Sequence, residues 1–247
     1  MFLRNLFSRK WWLLTLLVIA GALVLFRLGI WQLDRLKERR AFNAQYITIH
    51  SEPVLDLNQS QPANLLAMEW RPAEFTGKYD FENQIAVRNQ YYNGQYGYDL
   101  MTPLLSNGVA VLVDRGWIPA DGNSTPIEWR QYDVTGDVKV VGQIRVGSGK
   151  PVFGGVPDAL PVDGSKLAIW NNPDVAQVAK QLPYPILPIY LQPNADDAKT
   201  KPPIPFQPVI DLSEGPHFGY AMQWFAFSAI LLVGYTYYVK KQESRPQ

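Results

Sequence analysis

His217 and His50 are the two histidines of this chain of 247 residues, which contains no cysteine. His217 follows a Gly-Pro pair, which is typical of a helix start. Tyr220 and Trp224 come three and seven residues later, so on a helix they share a face with the imidazole. The positive end of the helix disfavours imidazolium, which keeps the ring available as a ligand. An imidazole among aromatic side chains suits haem iron, whereas the plain alternative is a polar residue at a membrane interface.

Arg115-Gly116-Trp117, at the end of a strand-like run, is a second pattern that could bind a ligand. A guanidinium beside an indole can hold an anion such as a carboxylate or a propionate. The alternative is a structural arginine packed on aromatic rings. Asp99 and Asp114 could pair as acid and base, but strands carry such carboxylates routinely.

Other chemistries find little support in the composition. Without cysteine there is no thiol nucleophile, disulfide, Cys-ligated zinc or iron–sulfur cluster. Ser51 follows His50, but no serine lies in a nucleophile elbow, and the glycine-rich stretch 147–151 lacks the spacing of a phosphate-binding loop. The net charge is +1 and no basic run is interleaved with aromatic residues, so no nucleic acid is expected as a partner.

An apolar stretch at 11–31 predicts a first transmembrane helix, which we expect to continue to about residue 43. The stretch holds one charge, Arg27, and its length matches a hydrocarbon core of roughly 30 Å. Trp12 and Trp31 stand where interfacial aromatic belts would lie. A cleaved signal peptide is the alternative, but the stretch is long and no small-residue cleavage motif follows it.

A second apolar stretch, at 217–239, has no polar face through its centre, so a membrane span is favoured over a buried amphipathic helix. Two spans place both termini on one side of the membrane. The basic tail favours the cytoplasm for 1–10 and 240–247, which makes 44–210 extracytoplasmic. The first ten residues leave little room for a mitochondrial transit peptide, so we expect a bacterial inner or plasma membrane.

Residues 44–210 consist of short strand-like runs broken by Gly and Pro. Asn107-Gly108 predicts a hairpin turn, and the stretch NPDVAQVAKQL predicts one helix with Asn172 as N-cap and Pro173 at its first position. Prolines between 202 and 208 predict a stiff linker. The predicted class is therefore an α+β membrane protein, in which two transmembrane helices flank a mostly β, barrel-like domain with one helix.

Nearly the full length resembles the Surfeit locus protein 1 family. The segments that carry the resemblance are, in order, LGIWQLDRLKER, FTGKYD, VRNQYYNGQYGYDLMTPL, VLVDRGWIP, IWNNPDVAQVAKQLPYPILPIYLQ and GPHFGYAMQWFAFSAILL. The RGW-P and PH–GYA-QWF patterns are the most specific of these. The two-span layout and the length agree with the family as well.

The resemblance implies a non-enzymatic assembly factor of the respiratory chain, linked to haem a delivery into subunit I of cytochrome c oxidase, a haem–copper terminal oxidase. It implies subunit I, haem a synthase and membrane lipid as partners. His217 occupies the position of the family's candidate haem ligand. The haem ring would lie against Tyr220 and Trp224, with its propionates near groups such as Arg115 and Trp117. A haem-free structural chaperone and a membrane-anchored extracytoplasmic enzyme stay open as alternatives.

Overall fold

A computed structural model describes residues 6–147, 158–195, 200–205 and 210–244. Most of the glycine-rich stretch 147–151, part of the proline-rich linker and the last three residues of the basic tail lie outside these ranges. The chain forms two compact units. One contains Met1–Gln45 with Asp211–Gln247, and the other contains Tyr46–Ile210.

The first unit is a pair of antiparallel helices, α1 at Trp12–His50 and α3 at His217–Glu243. Both are long and apolar enough to cross a membrane, and only 17% of the most apolar part of each is buried. This low burial does not fit the core helix of a soluble protein. The chain is accordingly a membrane protein with two spanning helices.

Helix α1 is unbroken over 39 residues and would be about 58 Å long, roughly twice the thickness of a bilayer core. It ends at His50, beyond the end near residue 43 that the sequence predicts. The reason is local, since residues 44–50 contain neither Gly nor Pro and the next proline is Pro53. The cytoplasmic and extracytoplasmic assignments of the flanking segments remain predictions.

Small residues and polar anchors hold the two helices together. Gly29 lies under the Phe225 ring so closely that a Cβ there would stand 2.4 Å from it. The hydroxyl of Ser228 donates to the Ala22 carbonyl at 2.9 Å. Such close approach through small residues, reinforced by a hydrogen bond, is how helices associate within lipid.

The second unit is a β barrel with extensions. Its strands are β1 (Leu55–Asp56), β2 (Pro72–Tyr79), β3 (Ile85–Tyr92), β4 (Gln95–Ser106), β5 (Val109–Pro119), β6 (Val138–Arg145), β7 (Ile169–Trp170) and β8 (Ile186–Pro193). They form one sheet in the order β1-β2-β6-β8-β5-β4-β3-β7, and an additional pairing of β2 with β4 closes five of them into a barrel. The barrel-like domain predicted from the sequence is thus confirmed.

The hydrophobic core of this unit fills the barrel. Its buried members come from all five barrel strands and include Phe75, Leu104, Val113, Ile144 and Ile189. A second cluster lies on the outer face of the sheet, under a short helix α2 (Val175–Ala179).

The predicted hairpin turn is confirmed, because Asn107 and Gly108 both have positive φ, of 50° and 79°, between β4 and β5. The predicted N-cap of the one helix is wrong. Asp174, rather than Asn172, caps α2 by accepting a hydrogen bond from the Gln177 amide at 3.0 Å. The Asn172 amide donates instead to Asp158 Oδ2 at 3.0 Å, which ties it to the preceding loop.

Candidate functional site

His217 is the first residue of α3, and Pro216 precedes it as the N-cap. One nitrogen of the imidazole ring is held in place, since Nδ1 lies 2.8 Å from Gln32 Oε1 on α1. Because an amide oxygen only accepts, Nδ1 carries a proton in this contact, and in the neutral ring Nε2 then holds the lone pair. Within the described residues Nε2 has no hydrogen-bond partner.

This geometry is the one that a ligating histidine usually has. Histidines that bind metals donate their other ring N–H to an oxygen, which fixes the tautomer and the orientation of the ring. Gln32 supplies that oxygen here. Gln32 was not among the residues predicted from the sequence, although it lies in the segment LGIWQLDRLKER that carries the family resemblance.

The aromatic residues predicted beside His217 lie along α3 as the spacing requires. Ala221 is fully buried against the helix pair, whereas 46% of Tyr220 is exposed. The Trp224 ring meets Phe227 edge-on, with ring centroids 6.1 Å apart. The face next to His217 therefore offers exposed aromatic surface at one end of the helix pair, which suits a flat apolar ligand.

Arg115 lies in the barrel unit, and its surroundings match the structural alternative. Only 7% of it is exposed, and its Nη1 donates to Gln84 Oε1 at 2.8 Å while Nη2 donates to the Tyr132 carbonyl. The guanidinium also lies over the rings of Tyr79 and Phe81, at 5.2 and 4.9 Å. Burial lowers the pKa of this guanidinium. Its contact with an anionic ligand stays a prediction.

Trp117 is likewise enclosed, with 5% of its surface exposed. Its indole lies over Gly97, where an added Cβ would stand 2.3 Å from Nε1, and its ring is 5.4 Å from that of Tyr92. Nε1 is buried and has no hydrogen-bond partner among the described atoms. Trp117 therefore packs chiefly as a large apolar side chain.

Between these two residues the strand is irregular. Leu100 pairs with Gly116 and Met101 pairs with Asp114, which leaves Arg115 as the extra residue of a β-bulge. Gly116 has φ of 112°, a conformation that favours glycine. The bulge re-aims Arg115 toward Gln84, and no local sequence pattern had indicated it.

Replacing Arg115 with lysine is expected to lower the free energy of unfolding by about 1–3 kcal/mol, because one ammonium nitrogen replaces the two guanidinium nitrogens that reach Gln84 and Tyr132 separately. Thermal unfolding of the full chain in detergent measures the change. Arg88→Lys is the matched control, since Arg88 is exposed and such a change is expected to stay within about 0.5 kcal/mol. An Arg115→Lys variant of unchanged stability that fails in function would instead favour anion binding.

Two kinds of comparison point to one family. The model of the SURF1 family matches residues 19–229. A SURF1-like protein of Rickettsia bellii is 26% identical over 93% of this chain and 92% of the relative, and one of Rickettsia felis is 24% identical over 90% and 95%. The cytochrome oxidase assembly protein SHY1 of Saccharomyces cerevisiae is 32% identical over 41% of this chain and 27% of its own length. With the family match running from the N-terminal part of α1 to the middle of α3, the chain belongs to the SURF1 family.

Proposed function

We propose that this protein assists the assembly of cytochrome c oxidase, a haem–copper terminal oxidase, and is not an enzyme. Family membership and the similarity to the yeast oxidase assembly protein support the proposal. Within the described residues, no three His, Asp or Glu side chains group in a way that could hold a metal ion. The proposed role in assembly is one of binding rather than catalysis.

The finer proposal is that haem a binds transiently at His217 on its way to subunit I. The observation that carries it is the His217–Gln32 hydrogen bond, which holds Nδ1 and leaves Nε2 with its lone pair. Bound haem would supply an iron that accepts this lone pair. Tyr220 and Trp224 would cover part of the ring, and one protein ligand permits release more readily than two.

The partners proposed with this function are subunit I and haem a synthase, because a carrier must meet both a donor and an acceptor. A haem-free structural chaperone is the second candidate. Its support is the enclosure of Arg115 and Trp117, which engages both residues in the packing of the barrel unit.

We place the protein in a bacterial cell membrane with both termini in the cytoplasm. The basic residues Lys240 and Lys241 at the end of α3 support this orientation. A reporter that is active only outside the cytoplasm should work when inserted after Asp163 and stay silent after Gln247. The opposite pattern would reverse the orientation.

Deletion of the gene in a host that makes haem a tests the function. Membranes of the deletion strain should lose most of the reduced haem a absorbance of the oxidase, and the intact gene should restore it. An unchanged oxidase level in the deletion strain would contradict the assembly role, whatever binds at His217.

A further inference from the structure

Two carboxylates, Asp99 on β4 and Asp114 on β5, lie together in a cavity on the outer face of the barrel. The cavity has a volume of about 220 Å³. Asp114 pairs with Met101, two residues from Asp99, so the carboxylates are diagonal neighbours on one side of the sheet. Tyr190 and Gln192 of β8 and Arg145 of β6 also line the cavity. The lining therefore contains side chains from four adjacent strands, β4, β5, β8 and β6.

Among the described residues, no lysine or arginine forms a salt bridge with Asp99 or Asp114. Asp114 is 6% exposed and accepts hydrogen bonds from the Gly116 amide at 3.1 Å and from Gln192 Nε2 at 3.2 Å. Arg145 is engaged elsewhere: Nη1 donates to Gln192 at 2.9 Å and Nε to Glu69 at 3.3 Å. Its guanidinium also lies 3.8 Å from the centre of the Trp70 ring. Two like charges in this cavity would repel each other across adjacent strands.

Burial and, to a smaller extent, the negative charge of the neighbouring Asp114 together raise the pKa of Asp99 to about 8. Burial raises the pKa of Asp114 to about 6, against the hydrogen bonds from Gln192 and Gly116 and the charge of Arg145, which lower it. Tyr190, whose pKa burial raises to about 12, also lines the cavity, while Glu69 lies behind Arg145 and outside the cavity lining. Both shifts favour retention of a proton by the pair at a pH where exposed carboxyl groups are ionised.

Asp114 is connected, through the bulge in β5, to a short segment that pairs with that strand. The Gly116 amide that binds Asp114 belongs to the bulge in β5. The next residue, Trp117, exchanges two backbone hydrogen bonds with Ile204, at 2.8 and 2.9 Å. Ile204 belongs to residues 200–205, which we call the strap.

We propose that Asp99 and Asp114 share one proton at neutral pH and that this proton keeps the strap seated on β5. Loss of the proton places two negative charges beside the bulge. Repulsion between them strains the bonds of Asp114 to Gly116, and the bulge then holds Ile204 less firmly. The arrangement acts as a pH-sensitive latch that is closed in neutral and acidic conditions and loosens in alkaline ones.

The direction of the pH effect follows from the raised pKa values of Asp99 and Asp114 in the folded state. The unfolded chain has carboxyl pKa values near 4, so the folded state holds protons more tightly than the unfolded state. The stability that the pair contributes is therefore complete below about pH 4 and is lost as the pH rises through about 6 and about 8.

The test compares the full chain in detergent with its Asp99→Asn variant, which keeps the shape and removes the charge. The thermal midpoint of the parent should fall by roughly 5 °C between pH 6 and pH 9, and that of the variant should fall by less than half as much. Hydrogen exchange at pH 9 should be at least about ten-fold slower in the variant at the amides of Trp117 and Ile204. Comparing both proteins at one pH removes the chemical effect of pH on exchange.

Asp137→Asn is the matched control, because Asp137 is an exposed carboxylate of the same domain and should leave both readouts as in the parent. Asp114→Asn is the second variant and should also flatten the pH dependence. Parallel pH profiles of the parent and Asp99→Asn would overturn the proposal. So would a parent that magnesium or calcium ions stabilise at pH 9 while Asp99→Asn is not stabilised, because the pair would then be a cation site rather than a proton latch.

Discussion

Replacing His217 with alanine is expected to remove most of the haem a that co-purifies with the protein from cells making haem a. The reason is that the imidazole Nε2 is the one ring nitrogen left with a lone pair after Nδ1 donates to Gln32. Gln32→Ala should weaken binding less, because outer hydrogen-bond partners of metal-binding histidines typically contribute about 10- to 100-fold in affinity. The reduced absorbance of haem a per mole of purified protein measures both effects.

The matched control for His217→Ala is Gln223→Ala, an exposed polar residue of the same helix. It should retain the haem content of the parent, and all three variants should reach the membrane in equal amounts. A parent protein without haem a, or an alanine variant with as much haem as the parent, would leave the haem-free chaperone as the better account. Such a result would not affect the assembly role tested by deletion.

Replacing Gly116 with alanine is expected to lower the free energy of unfolding by about 3 kcal/mol or more, the second large effect. A Cβ at this position would stand 2.2 Å from the Ile204 carbonyl oxygen and 2.3 Å from its carbon, both of which are backbone atoms. The backbone cannot rotate away as a side chain can, so the strap must move. The φ of 112° adds strain for any residue with a Cβ.

Gly122→Ala separates the cost of the contact with Ile204 from the cost of backbone strain. Gly122 also has a positive φ, of 71°, but a Cβ there would meet nothing within 4 Å. Its substitution should therefore cost only the backbone strain, about 1–2 kcal/mol. Thermal and denaturant unfolding of both variants measure the difference, and equal losses would show that the strap does not press on Gly116.

Local patterns in the sequence were enough to predict the spans, the barrel-like class and the hairpin at Asn107-Gly108, because each depends on residues close together in the chain. They also indicated His217. They could not indicate Gln32, which is 185 residues away and meets His217 only because the two helices pack against each other. The same limit applies to the strap, whose contact with Trp117 joins segments far apart in sequence.

Arg115 shows a different limit. Strand alternation predicts which side a residue faces, but an extra residue in one strand shifts that alternation without leaving a distinct sequence signal. A related limit applies to α2, where Asn172 and Asp174 both suit an N-cap. The backbone amide of Asn172 binds Asp158 of another loop, and Asp174 caps the helix.

The closure of the barrel has a mechanical consequence. Strands β4 and β5 are paired over ten residues, whereas β2 and β4 are joined by two pairs, Lys78 with Leu105 and Tyr79 with Leu104. Gly77 lies so close to this joint that a Cβ would stand 2.4 Å from the Leu105 carbonyl. Parting these two strands breaks fewer backbone hydrogen bonds than parting β4 from β5, so we expect the barrel to open between β2 and β4 more readily than between β4 and β5.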